Sequence, residues 1–116
     1  MPDALLRLRD ALRAFAADRD WDQFHSPRNL ATALAVEAAE LLEPFQWLTD
    51  EQGRHLPPET RTAVEEELAD VLLYLVRLAD KLDVDLEPTA FAKIARNAEK
   101  YPVDKAKGSS RKYTEL

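Results

Sequence analysis

The sequence predicts an all-α fold, a bundle of four helices, on three observations. No stretch alternates apolar and polar residues with period two over a useful length, whereas several repeat at the three- and four-residue spacing of a helix. One long segment carries an apolar face broad enough for a buried bundle helix. Hydroxyl and proline signals stand where such helices would start and stop.

The first helix is expected over Asp3–Asp18, where Leu5, Leu8, Leu12 and Phe15 form one stripe and arginines fill the other side. Arg19 to Ser26 has no period and holds Trp21, Phe24 and His25. Ser26-Pro27 is a strong helix start, a hydroxyl cap followed by the residue that suits the first turn. The second helix then runs from Pro27 to Glu43, and Pro44 ends or kinks it by removing a donor and crowding the preceding turn. Phe45 and Trp47 follow, and Leu48 to Pro58 reads as a polar loop with Gly53 and the Pro57-Pro58 pair. A third helix is expected from Glu59 to Leu82, with Val64, Leu68, Val71, Leu72, Leu75, Leu78, Ala79 and Leu82 on its apolar face. Asp83 to Asp85 is a turn, and a fourth helix runs from Leu86 to Lys100 until Pro102 stops it. The polar, basic-rich tail from Val103 to Leu116 would by itself be mobile. The organisation expected is a helical domain over residues 1–102 and a C-terminal tail over residues 103–116.

With 116 residues the chain suits one domain, large enough to build a core without covalent staples. It has no cysteine, which excludes a disulfide scaffold, a thiolate zinc site, an iron–sulfur cluster and a cysteine nucleophile. Two glycines are too few for a Walker loop or a dinucleotide fingerprint. Two histidines leave carboxylate oxygen as the ligand for any metal. A net charge of −6 argues against binding a nucleic-acid polymer through a basic surface. It leaves room for a nucleotide whose charge a metal screens. No apolar run approaches the roughly 20 residues of a membrane span. The start, Met1-Pro2-Asp3, lacks a charged segment followed by an apolar one, so no secretory signal is expected and the cytoplasm is the expected compartment.

The informative residues are acids inside apolar helices. Glu37 and Glu40 lie in Leu34-Ala35-Val36-Glu37-Ala38-Ala39-Glu40-Leu41-Leu42, and their i, i+3 spacing puts both on one face. Glu67 and Asp70 repeat the arrangement in Glu67-Leu68-Ala69-Asp70-Val71-Leu72. Neither pair has a basic residue one turn on; the next base after Asp70, Arg77, is two turns away. Like charges on one face cost a few tenths of a kcal/mol in water and far more when partly buried. A solvated acidic face would account for either pair alone. Two matching pairs on neighbouring helices call for a neutralising group, and an all-oxygen set suits Mg2+, with Mn2+ as the alternative. A di-iron centre is disfavoured, because neither His25 nor His55 stands three residues after a glutamate.

The Glu37/Glu40 pair followed about thirty residues later by Glu67/Asp70 resembles the MazG-like all-α nucleoside triphosphate pyrophosphohydrolases. Arg19-Asp20-Trp21, Phe24-His25-Ser26-Pro27-Arg28-Asn29-Leu30, Phe45-Gln46-Trp47 and Lys112-Tyr113-Thr114 look like the dCTP pyrophosphatase subgroup. The resemblance covers nearly the whole chain. It implies a four-helix MazG-like bundle assembling as a homo-oligomer, a dimer or tetramer, with the tail packed on the body or on a neighbouring subunit. It implies that a nucleoside triphosphate, dCTP or a modified pyrimidine nucleotide, is cut to the monophosphate and pyrophosphate. Glu37, Glu40, Glu67 and Asp70 would be both the metal ligands and the catalytic acids, one glutamate serving as general base. Trp21, His25 and Trp47 would line the base and sugar pocket, with the loop from Trp21 to His25 closing over it.

Tyr74, four residues after Asp70 and seven after Glu67, points to the same side as the acids and would reach the sugar. Lys93, Asn97 and Tyr101 form a polar stripe that the family would turn to the phosphates. Without the family, the tryptophans would equally be core residues and the stripe ordinary solvent-facing surface. Two departures stand out. Val36 precedes Glu37 where the wider family often has a second glutamate, and Leu12 stands nine residues before Trp21 where the subgroup has a histidine. The second removes a polar contact and leaves strict dCTP preference without that support. A non-catalytic helical interaction module, or a nucleotide or metal sensor, is the alternative function.

Overall fold

The computed structural model describes residues 3–116. Met1 and Pro2, on which part of the leader reading falls, lie outside the described residues. The described residues contain helices α1 (Ala4–Asp18), α2 (Pro27–Leu42), α3 (Asp50–Arg54), α4 (Pro58–Lys81), α5 (Leu86–Lys100) and α6 (Val103–Ala106). Short 3₁₀ turns occupy Asp22–Phe24 and Tyr113–Glu115. No strand occurs among the described residues, and no helix there is long and apolar enough to cross a membrane. The chain divides into two compact units, one reaching Val84 and one from Asp85 to Leu116.

In the first unit α2 packs along α4, and α1 also packs on α4. Ala16, Leu30, Val64, Val76 and Ala79 form the buried core, and Leu30, 2% exposed, is the largest side chain fully enclosed. The helix ends follow local chemistry. Asp3 caps α1 by accepting from the Leu6 amide at 2.8 Å, and Ser26 caps α2 by accepting from the Asn29 amide at 3.1 Å. Replacing Ser26 with Ala should cost about 1 kcal/mol, read as a lower urea midpoint with an unchanged slope.

Both α1 and α4 stop on an aspartate in the left-handed region, Asp20 and Asp83, each at φ 55°. Asp and Asn tolerate that conformation better than most residues. After it, the Trp21 amide donates to the Ala16 carbonyl at 2.9 Å and the Val84 amide to the Ala79 carbonyl at 2.8 Å. These are the six-to-one bonds of a Schellman ending. The first of them sets where Trp21 leaves the helix.

The segment from Leu48 to Pro58, expected to be a loop, contains the helix α3. Its physical basis is a capping box: the Thr49 hydroxyl accepts from the Gln52 amide, and the Gln52 side chain accepts from the Thr49 amide at 3.0 Å. Gly53 sits against the Phe45 ring, which a β-carbon there would meet at 3.6 Å.

In the second unit the tail has structure of its own, the helix α6 and the Tyr113–Glu115 turn. Tyr113 turns back to Tyr101 at the end of α5, ring centroids 6.0 Å apart in an edge-on contact, and Lys100 Nζ lies 4.9 Å from the Tyr113 ring.

Candidate functional site

The four acids sit on the two helices that pack together. Glu37 and Glu40 are one turn apart on α2, Glu67 and Asp70 one turn apart on α4. The packing of α2 on α4 brings one carboxylate oxygen each of Glu37, Glu67 and Asp70 within 4.8 Å of one another. Glu40 interacts with Glu37 and Glu67 but falls outside that three-ligand group.

Crowding raises the proton affinity of these carboxyls. The carboxyl of Glu37 is held above its ordinary value, first by the Glu67 carboxyl beside it and then by burial. Glu40 is raised chiefly by Glu37. Glu37 Oε2 and Glu67 Oε2 are buried and accept no hydrogen bond. A buried polar atom without a partner costs about 1–3 kcal/mol, and more when charged. A hard divalent cation would be a fitting partner for such a set of three carboxylates from two helices. Tyr74, half-buried, stands one turn beyond Asp70 on α4.

Trp21 and His25 flank the Asp22–Phe24 turn. Phe15 and Trp21 meet edge-on at 5.6 Å, Trp21 and His25 at 6.4 Å, and the Arg19 guanidinium lies 3.6 Å over the Phe15 ring. Trp47, in the turn after α2, is 87% exposed. It is not among the described ring contacts of the first unit. Lys93 and Asn97 are exposed on α5 of the second unit, and Tyr101, exposed just past its end, donates its amide to the Asn97 carbonyl at 2.9 Å.

Sequence reasoning passed over the residues that hold the Trp21–His25 segment. Arg77, only 6% exposed, donates from Nε to His25 Nδ1 at 3.1 Å and from its terminal nitrogen to Asp22 Oδ1 at 2.7 Å. Lys81 also pairs with Asp22, and the Asn29 side-chain amide donates to the Phe24 carbonyl at 3.0 Å. The segment is therefore tethered to α4 and α2. Arg13 grips Asp80 through two bonds of 2.8 and 2.5 Å, tying α1 to α4. The signal for Arg77 was a lone cation in the apolar run Leu75-Val76-Arg77-Leu78-Ala79.

These ion pairs have a pH consequence. The Arg13 guanidinium holds Asp80 below its ordinary 3.8, and Lys81 does the same for Asp22. A lowered carboxylate stabilises the fold above the unfolded value and loses that contribution as the pH falls through the folded one. Glu37 has the opposite sign: raised in the folded state, it costs stability as the pH rises through its folded value. His25, held below its ordinary value, opposes this limb, so it is in His25→Gln that the metal-free melting temperature should rise on acidification from neutral pH and then fall below about pH 3.8. Circular-dichroism melts across that range check both limbs, and a fall on acidification throughout would contradict the first.

Among the described residues the fold is all-helical, and two of its packed helices bring together a carboxylate-only group that could hold a metal ion. The MazG-like family pattern matches residues 32–116. The chain belongs to the MazG-like family. It is 52% identical to dCTP pyrophosphatase 1 of Mus musculus and 54% identical to that of Homo sapiens, each over 104 residues and 88% of this chain. The chain spans 61% of the length of these curated relatives. It is also similar to the crystal structure of a pyrophosphatase from Archaeoglobus fulgidus. There the TM-score is 0.82 and the identity 37%, covering 88% of this chain and 95% of that one.

Proposed function

We propose that the chain is a Mg2+-dependent nucleoside triphosphate pyrophosphohydrolase. It converts dCTP or modified pyrimidine nucleotides to the monophosphate and pyrophosphate, in the service of nucleotide-pool sanitation in the cytoplasm. The observation that carries this is the convergence of Glu37, Glu67 and Asp70, two of whose oxygens are buried without a partner. Similarity to proteins named as pyrophosphatases supports it.

Glu37, Glu67 and Asp70 would hold the cation, with Glu40 beside them as the fourth acid. Mn2+ would fit the same oxygens. When bound, such an ion screens the triphosphate from the acids and polarises phosphoryl oxygens. The chain's own part is placement. A triphosphate carries about four negative charges, so this acidic face repels it unless the site is loaded. The acids thereby make binding conditional on the metal. Trp21, His25 and Trp47 take the base and sugar, and Tyr74 the sugar, with aromatic faces available for stacking. The family resemblance alone supports phosphate contacts by Lys93, Asn97 and Tyr101, and likewise a catalytic domain over residues 1–102 followed by a tail over residues 103–116.

Self-association as a dimer or tetramer belongs to the same proposal. Leu68, Leu72 and Leu75 recur at helical spacing on α4 and are exposed, a stripe that a partner surface of a second copy would cover. Light scattering should give a mass of two or four chains, and a monomer at micromolar concentration would count against it.

The experiment that tests the activity is 31P NMR of dCTP incubated with the protein and Mg2+. The expected products are dCMP and pyrophosphate, with no turnover in EDTA. Release of inorganic phosphate, or intact dCTP, would contradict the proposal.

A further inference from the structure

The Arg77–His25 contact fixes more than position. A guanidinium Nε carries a hydrogen at every accessible pH and can only donate. His25 Nδ1, 3.1 Å away, is then the acceptor and holds no proton. A neutral imidazole with a bare Nδ1 has its one hydrogen on Nε2. We infer that Arg77 is a positioning residue: it sets His25 as the Nε2–H tautomer, so that His25 meets the nucleotide only as a hydrogen-bond donor. The inference rests on the reading of His25 as a pocket residue. Its partner is then a lone-pair acceptor on the base or sugar, such as a pyrimidine carbonyl.

The surroundings keep Arg77 in this role. It is buried, its terminal nitrogens meet Asp22 at 2.7 Å and Asp80 at 3.5 Å, and its Nε is thereby aimed at the imidazole. Asp80 is in turn gripped by Arg13, and Asp22 pairs with Lys81. The charged groups facing His25 from its own turn and from α4 are Asp22, Arg77 and Lys81. Burial, then the two cations, hold His25 below its ordinary value, with Asp22 opposing. A second proton on the ring would have to displace the Arg77 bond. The neutral form is therefore favoured by the same contact that selects the tautomer.

The test has two parts. Long-range 1H–15N spectra of the labelled, nucleotide-free protein report which ring nitrogen is protonated, and His55→Gln assigns the two histidines. The wild type should show one Nε2–H tautomer for His25, with a scalar coupling across the bond to Arg77 Nε. Arg77→Met should give a tautomer mixture and a higher His25 titration. Hydrogen on Nδ1 in the wild type, or an unchanged tautomer and titration in Arg77→Met, would overturn the inference. The wild-type spectrum decides even if Arg77→Met does not fold.

The second part is the KM for dCTP. His25→Gln can offer an N–H near the Nε2 position, whereas His25→Asn reaches only as far as Nδ1. KM should rise for both variants, and about tenfold further for Asn than for Gln, the scale of one hydrogen bond. Equal KM values for the two variants would overturn the donor role. An Nε2–H tautomer in a chain that cleaves no nucleoside triphosphate would instead overturn the proposed activity, and the substrate contact with it, leaving Arg77's hold on the ring.

Discussion

Glu37→Gln should lower pyrophosphate release from dCTP by at least about a thousandfold, or about 4 kcal/mol of barrier, while raising the melting temperature of the metal-free protein. The two effects share one cause. Glu37 lies against Glu67 with a buried oxygen that nothing satisfies, and its carboxyl is held above the ordinary range. An amide of the same shape removes one negative charge and brings a donor to the Glu67 carboxylate, so the folded state gains. The same amide is a poor ligand for a hard cation, so the site loses its charge-screening ion. Assay of product by 31P NMR and a melt in EDTA read the two halves. A variant that loses activity and also melts lower would point to ordinary structural damage rather than a charge-crowded ligand site.

Leu30→Ala should cost about 3 kcal/mol, within the 2–5 kcal/mol range of such truncations. Leu30 is 2% exposed, while the other core members, Ala16, Val64, Val76 and Ala79, are smaller. Removing it hollows the centre of the first unit, and folded domains have only about 5–15 kcal/mol in reserve. Leu30 lies on α2 just beyond the Ser26 cap, seven residues before Glu37. Loss of its packing would also loosen the seating of α2 on α4 that makes the acids converge. Urea denaturation should show a lower midpoint at constant slope. A cost under about 1 kcal/mol would mean that the core closes around the gap.

The helices were legible because their signals are local. Ser26-Pro27 opens α2, Pro44 keeps it from running past Leu42, and Pro102 follows the end of α5. The helix α3 escaped notice although Thr49 and Gln52 hold a capping-box spacing, because Gly53 and the prolines at 57 and 58 read as loop. The acid pairs were legible on the same terms, two carboxylates one turn apart with no cation nearby. Their convergence needs α2 on α4, and periodicity says nothing of which face meets which. Glu40's place beside the three-ligand group, rather than in it, depends on that packing. Arg77 was passed over for the same reason: its partners His25 and Asp22 lie 52 and 55 residues away along the chain. A buried cation is noticed in a sequence only as an interruption of an apolar stripe, and its function depends on what the fold brings to it.

Glu37, Glu67 and Asp70 are proposed to share one hard cation. Titration of Mn2+ into the purified protein, followed through the electron paramagnetic resonance signal of the free ion, tests it most directly. The wild type should deplete that signal, Mg2+ should restore it by competition, and Glu37→Gln should leave it close to buffer. A free-ion signal in the wild type indistinguishable from buffer up to about millimolar Mn2+, a range in which an assembled carboxylate site would bind, would contradict the account.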